Sequence, residues 1–545
     1  MIPVAAAHSQ QAPLTTGIRL AILTPAQAAA AETDYEQHCA TCHNNPIGRM
    51  LSRPVIASMA PAYIYQVLTT GPMQGRANAL SEGERHRLSA YLGQKTPLAD
   101  PKSDANMCAV TPMLEKAKVA SAWSVWGHDP ANTRYQASPG FEVSEIPRLK
   151  LKWAFAYPGG IASTSPIVAA GRVYVGSLTG QVFALDTRTG CTVWTINVGA
   201  PVRAAISVGQ DAVSAQNAKT VAYIADYNGT VHAVDARDGT SLWKTTVIAD
   251  PKLSRISGPP TLYAGRLYVP ITGREDSLAA NPDYPCCRSR GAITALDAAT
   301  GAVLWTHYTI SSQPKPTTHN SRGIPMFGPA GAGIWSAPTV DPERHAIYVG
   351  TGNDYSLPGS DASDAIIAVD WSNGQELWKT QILKKDIWVL GCESVPPVDC
   401  ASNHGPDLDF ASPPILATLA TGRQVILAGA KSGHVYALDP DRRGRILWSV
   451  RLAEGDSLGA ILFGSASDER TLYVALSNAD SAKLGVIPGG LVGLDIETGV
   501  RRWITPPIPA DCHWGGEGCL SAQAAPILVI NGAVFSGAAD GHIRA

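Results

Sequence analysis

A short motif recurs six times between residues 180 and 503 of this 545-residue chain. It reads GQVFALDTRTG before Trp194, GTVHAVDARDG before Trp243 and GAITALDAATG before Trp305. The later copies are DAIIAVDWSNG before Trp378, GHVYALDPDRRG before Trp448 and GGLVGLDIETG before Trp503. Each copy is a strand with alternating apolar positions, a turn opened by Asp and closed by Gly, and a second strand that carries the tryptophan. The interval from Asp to Trp is eight residues in five copies and nine from Asp439 to Trp448, a regularity that scattered surface tryptophans would not keep. Successive tryptophans lie 49 to 73 residues apart, the length of one four-stranded propeller blade with its loops. A blade cannot bury both faces alone, so the copies must stack radially. The final residues, Gly541-His542-Ile543-Arg544-Ala545, read as the first strand of a seventh copy cut before its Asp and Trp, so the propeller is expected to be incomplete at its C-terminus.

Ahead of Trp123 the character changes to helix-like runs. Cys39-Ala40-Thr41-Cys42-His43 has the spacing for covalent c-type haem: two thiols, Cys39 and Cys42, add to the vinyl groups, and His43 lies beneath the iron as axial ligand. A zinc or thiol-redox CxxC is the alternative, but zinc would want a second ligand pair nearby and the next cysteine is Cys108. Asp34 can N-cap a helix carrying the motif, Pro61 to Thr69 has helical apolar spacing before Gly71-Pro72, and Ser81 with Glu84 opens a closing helix as a capping box. The segment resembles a class I cytochrome c, a small all-α domain. That resemblance implies a methionine between the last two helices as sixth ligand, which makes Met73 the choice over Met50 and Met59, and Pro46 the residue whose carbonyl orients His43.

Acidic and basic residues nearly balance, 45 against 43, which excludes a nucleic-acid partner driven by net charge. No apolar run reaches the roughly 18 residues of a membrane span. Residues 1–30 hold a short apolar core, Ile18 to Leu23, before an alanine-rich run, which reads as a residual export signal. Haem c is attached outside the cytoplasm, so the expected location is the periplasm or the medium. The cysteines agree with an oxidising compartment: Cys392 with Cys400 and Cys512 with Cys519 each close a short loop, Cys108 and Cys191 stay unassigned, and Cys286-Cys287 is either an adjacent disulfide or two buried thiols.

From Trp123 onward the repeat resembles the tryptophan-docking motif of the eight-bladed quinoprotein dehydrogenases. The resemblance implies an all-β eight-bladed propeller over 123–545, joined by a linker at 101–122 to a cytochrome c domain at 31–100. Such propellers close by pairing the two chain ends, with Leu149 to Phe155 (LKLKWAF) awaiting its partner. It further implies pyrroloquinoline quinone (PQQ) and Ca2+ as cofactors and an axial site. In that site Asp409 is the base and a calcium ligand, and Lys431 is the cation on the quinone oxygens. Trp335 stacks on the ring, Arg203 binds a cofactor carboxylate, and Asn353 is a second calcium ligand. Methanol dehydrogenases have a calcium-binding glutamate just before an Arg-Gly; here Cys286-Cys287 occupies that place and the nearest acids are Glu275 and Asp276. Of these, the resemblance to polyvinyl alcohol dehydrogenases, with an acid some ten residues upstream of their Cys-Cys, implies Glu275. Haem first and propeller second is the order of the polyvinyl alcohol dehydrogenases. The implied activity is oxidation of an alcohol, secondary and polymeric alcohols included, with electrons passed through haem c to an external cytochrome c. The alternatives are a non-catalytic propeller scaffold with an electron-carrier domain, or an aldose dehydrogenase using the same quinone.

Overall fold

The computed structural model describes residues 23–44, 53–57, 61–69, 73–93, 106–115, 122–156, 164–211, 219–393, 397, 400–401, 404–455, 459–479, 487–511 and 519–545. Five helices come first: α1 (Pro25–His38), α2 (Ala40–His43), α3 (Arg53–Ala57), α4 (Pro61–Thr69) and α5 (Glu82–Leu92). The capping box on α5 forms as expected, with Ser81 and Glu84 each satisfying the other's backbone N–H. Asp34, in contrast, caps nothing. It lies inside α1, whose own box is Thr24 with Gln27, and forms an ion pair with Arg87 at 2.7 Å. The haem motif begins where α1 ends at Cys39 and continues on the single turn of α2. Tyr35, Ile64, Leu68, Leu88 and Leu92 form the core of this module, and Cys39 and Met73 pack against it. Pro46, Met50, Met59 and Cys512 lie outside the described residues, as does most of the N-terminal segment.

The connecting segment is pinned to the next domain: Cys108 is disulfide-bonded to Cys191, beside a backbone bridge from Met107 to Thr192. From there on the chain is β. The first sheet shows how each repeat folds, with strands Ile167–Ala169, Arg172–Gly176, Gln181–Asp186 and Thr192–Asn197 in sequential antiparallel order. Asp186 accepts from the backbone N–H groups of Arg188 and Thr189, and Gly190 closes the turn at φ +72°. The motif tryptophans from Trp194 to Trp448 then seal the seam to the following blade. Trp194 Nε1 donates to Ala236 O at 3.0 Å, Trp243 to Ala298 O at 3.1 Å, and Trp305 to Trp371 O at 3.1 Å. The indole lies flat on the turn glycine of that neighbour, where a Cβ on Gly374 would come 2.5 Å from Trp305. A side chain there would push the blades apart, so the Gly of the motif is a packing requirement as well as a turn residue.

The described strands make seven sheets of four or five strands, not the eight expected, together with two two-stranded ribbons. The shortfall has a local reason. Leu149–Phe155 runs extended without a sheet partner among the described residues, although Trp153 docks on Gly190 and donates to Thr187 O at 3.1 Å as the motif tryptophans do. The pairing of early and late chain falls elsewhere: Tyr135–Gln136 runs parallel to Leu528–Ile530 in the seventh sheet. No described helix is long and apolar enough to cross a membrane.

Candidate functional site

In an antiparallel pair the start of one strand and the end of the next lie at the same edge. The loops before the innermost strands and after the second strands therefore meet at one place on the propeller axis. Arg203, Trp335, Asp409 and Phe463 come from the first kind of position, Asn353 and Lys431 from the second. All six line one cavity of about 360 Å3, within the roughly 300–1,000 Å3 usual for small-molecule sites. A second cavity of about 320 Å3 shares Arg203, Ser257, Trp335 and Phe463, so the edge-to-face pair Trp335–Phe463 belongs to the walls of both.

Lys431 is the electrostatic centre. Its Nζ lies 2.9 Å from Asp407 Oδ1 and 3.0 Å from Asp409 Oδ2, and 5.6 Å above the centroid of Trp335. The three charged side chains are 4%, 2% and 8% exposed, so none of them relies on water for its charge. Asp409 Oδ1 accepts from Asn353 N at 2.9 Å. Asn353 spends both amide hydrogens on the carbonyls of Asp354 and Trp388, 2.6 Å each, which directs its amide oxygen outward as a hard donor. Behind Asp409, Asp386 accepts from Leu408 N and Asp407 N, and burial raises the carboxyls of both Asp386 and Asp364 above the usual range. Burial likewise pushes Asp354 up to about 7, against the pull of Ser360.

Of the expected residues, Arg203, Trp335, Asn353, Asp409 and Lys431 come together. Glu275 does not reach the cavity wall: fully buried, it accepts from Tyr284 OH at 2.8 Å, Arg288 N at 2.6 Å and Ser289 N. Its neighbour Asp276 lines the cavity and pairs with Arg255 at 3.1 Å. Sequence reading preferred Glu275 to Asp276 and missed Arg255 and Asp407. Asp407 carried no signal: its backbone is left-handed, φ +61°, so strand alternation could not have placed it beside Asp409. Cys286 and Cys287 lie with their sulfurs side by side, the arrangement expected of the adjacent-disulfide reading, and are buried in one cluster with Tyr355. Cys392–Cys400 also pairs as expected, and Cys519 is disulfide-bonded.

In the helical module Cys39 and Cys42 are the free cysteines among the described residues. Burial pushes the Cys39 thiol up to about 11. Cys39 and Met73 both pack against the apolar core of this module. The Met73 side of this module touches the propeller next to the cavity: a Cβ on Gly75 would come 3.2 Å from Asn281, in the loop that joins Asp276 to Cys286.

The family model for the PQQ glucose/ethanol/alcohol dehydrogenase beta-propeller domain matches residues 123–454, and the model for the cbb3-type cytochrome c oxidase subunit III matches residues 26–92. A polyvinylalcohol dehydrogenase of a Pseudomonas species is 36% identical over 97% of this chain and 85% of its own length. The polyvinylalcohol dehydrogenase of Sphingopyxis sp. strain 113P3 is 35% identical over 96% of this chain and 82% of its own. Among solved structures, a quinohemoprotein alcohol dehydrogenase from Pseudomonas putida HK5 superposes with a TM-score of 0.57 at 18% identity, covering 78% of this chain and 70% of that one, a likeness of fold. A hub with one lysine between two aspartates above a tryptophan, a propeller matched over residues 123–454 and a cytochrome module ahead of it agree, and the chain belongs to the family of PQQ-dependent alcohol dehydrogenases.

Proposed function

We propose that this chain oxidises secondary alcohols, polymeric ones of the polyvinyl alcohol kind included, and delivers the electrons through haem c to an external cytochrome. The observation that carries this is the contact of Lys431 Nζ with both Asp407 and Asp409 in a cavity floored by Trp335. The names of the two relatives at 35–36% identity support the substrate class. Three described disulfides and the CxxCH spacing support a periplasmic or secreted location. In this reading residues 31–100 are the haem module, 101–122 the tether and 123–545 the catalytic propeller.

The residues fit the groups they are asked to hold. Arg203, Arg255 and Lys431 bring cations to a cavity with a flat aromatic floor, as a planar, carboxylate-bearing ring system requires. Asn353 Oδ1 and Asp409 would hold Ca2+, whose preference for oxygen ligands they meet; Glu275 was the third candidate. Cys39 and Cys42 would anchor the haem, with His43 and Met73 on the iron. Bound PQQ supplies a two-electron hydride acceptor and the haem a one-electron relay. Asp409 takes the hydroxyl proton of the alcohol. Lys431, held in place by Asp407, presents its ammonium where negative charge develops, in a site too dry to need reorganisation. The Gly75–Asn281 contact sets the haem module against the stretch that follows Asp276 on the cavity wall.

The test is dye-linked oxidation by the full chain loaded with PQQ and Ca2+. Turnover with 2-butanol or polyvinyl alcohol is expected, at higher kcat/KM than with methanol or glucose. Turnover of glucose alone, or of none of these substrates, contradicts the reading.

A further inference from the structure

The helix α6 (Glu275–Leu278) places two acidic residues side by side, and only one of them can face the axis. Consecutive residues on a helix point about 100° apart, so Glu275 and Asp276 cannot both reach a cation bound by Asn353 and Asp409. Their surroundings separate their roles. Glu275 is sealed: Oε1 accepts from Tyr284 OH, and Oε2 accepts from the backbone N–H groups of Arg288 and Ser289. No part of it is exposed, and a cation could reach its oxygens only by displacing those donors. Asp276 is the opposite case. It lies on the cavity wall with Asn353, Tyr355 and Asp409, and Arg255 engages its Oδ2 at 3.1 Å. Its Oδ1 is buried without a hydrogen-bond partner, an expensive arrangement for a carboxylate oxygen unless something positive fills it. Asn353, only 5% exposed, presents its amide oxygen to the same cavity because both amide hydrogens are committed to backbone carbonyls.

We propose that Asp276 supplies the third protein oxygen of the cation site, with Asn353 and Asp409, and that Glu275 is a positioning residue that clamps the loop 284–289. This rests on the hard-cation reading given above and deepens it. The clamp has a definite object. Tyr284, Arg288 and Ser289 flank the Cys286–Cys287 pair, so the three hydrogen bonds to Glu275 fix the stretch that carries the pair, and with it the contact of the pair with Tyr355 on the cavity wall.

The experiment is calorimetric titration of the chelator-stripped, haem-bearing full chain with Ca2+ alone. Wild type, Asp276→Asn, Glu275→Gln and Tyr284→Phe are compared, with a thermal melt of each. Asp276→Asn keeps the shape and removes the charge, and it is expected to weaken Ca2+ binding at least tenfold. Glu275→Gln sets amide hydrogens against backbone N–H donors; it is expected to lower the Tm by about 3 °C or more and to leave the Ca2+ Kd within threefold. Tyr284→Phe loosens the same clamp without touching either acid, so it keeps the comparison valid if Glu275→Gln folds poorly; its Kd is also expected within threefold. Wild-type affinity in Asp276→Asn, or tenfold weakening in Glu275→Gln or Tyr284→Phe, overturns the assignment while the cation site stands. A wild type that binds no Ca2+ overturns the cation reading itself, and this assignment with it.

Discussion

Replacing Asp409 by asparagine is expected to lower kcat for alcohol oxidation by about 10²- to 10⁴-fold, the contribution of a well-placed general base. The substitution leaves most of the local geometry in place. The side-chain carbonyl that remains at position 409 still accepts from Asn353 N, and Lys431 keeps its bond to Asp407 Oδ1 at 2.9 Å. What is lost is the capacity to take a proton, together with one of the two negative charges on Lys431 and at the proposed Ca2+ site. The defect is therefore read in kcat at saturating Ca2+, while the circular dichroism spectrum stays that of the wild type. Asp407→Asn is the instructive contrast. Asp407 holds the lysine from the far side, so its loss frees Lys431 to settle on Asp409 alone and costs less than the loss of the base. Equal losses from the two variants would mean that the pair acts only by positioning Lys431. Removing the lysine is the harsher change, because Asp407 and Asp409 would then be buried carboxylates that have lost their shared cation, a situation that costs about 3–5 kcal/mol of stability.

The Cys39→Ala/Cys42→Ala double variant is expected to emerge without covalent haem and to reduce no external cytochrome c. The two thiols are the free cysteines among the described residues, so no other described cysteine can substitute as anchor. The small helical core around Tyr35, Leu68 and Leu88 would also lose the group it wraps, and the module should melt before the propeller does. Absorbance of the denatured polypeptide checks the first part. A haem that stays with the chain through acid-acetone extraction of the double variant would refute thioether attachment at these residues.

The propeller was legible because its signal is repeated and local. One Asp-Gly turn and one Trp at a constant interval specify a strand pair, and six copies specify radial stacking whatever the loops do. Blade number was less legible: the repeat itself gave six copies and a cut seventh, eight came from the family resemblance, and Trp153 carries the docking contact of a blade without the sheet. The site divides in the same way. Trp335, Asn353, Asp409 and Lys431 were expected from the family resemblance alone, and the structure puts them at corresponding ends of their strands. Glu275 and Asp276 lie in an insertion without a repeat frame, and which one faces the axis depends on the phase of a four-residue helix. Arg255 was hidden for a related reason: its strand is two residues long and pairs with the end of Arg266–Gly273, outside the motif. Asp34 misled because an Asp before a helix is a strong cap signal, and here Thr24 with Gln27 had already opened the helix well upstream of it.

The claim on which the rest depends is that alcohol oxidised at the hub reduces haem in the same chain. Anaerobic mixing of the PQQ- and Ca2+-loaded, oxidised protein with 2-butanol, followed at the α-band of the haem, tests it directly. Haem reduction that is first order and independent of protein concentration is predicted, together with its loss in Asp409→Asn. Reduction whose rate rises in proportion to protein concentration would show electrons passing between molecules, and a haem that stays oxidised while alcohol is consumed would contradict the account outright.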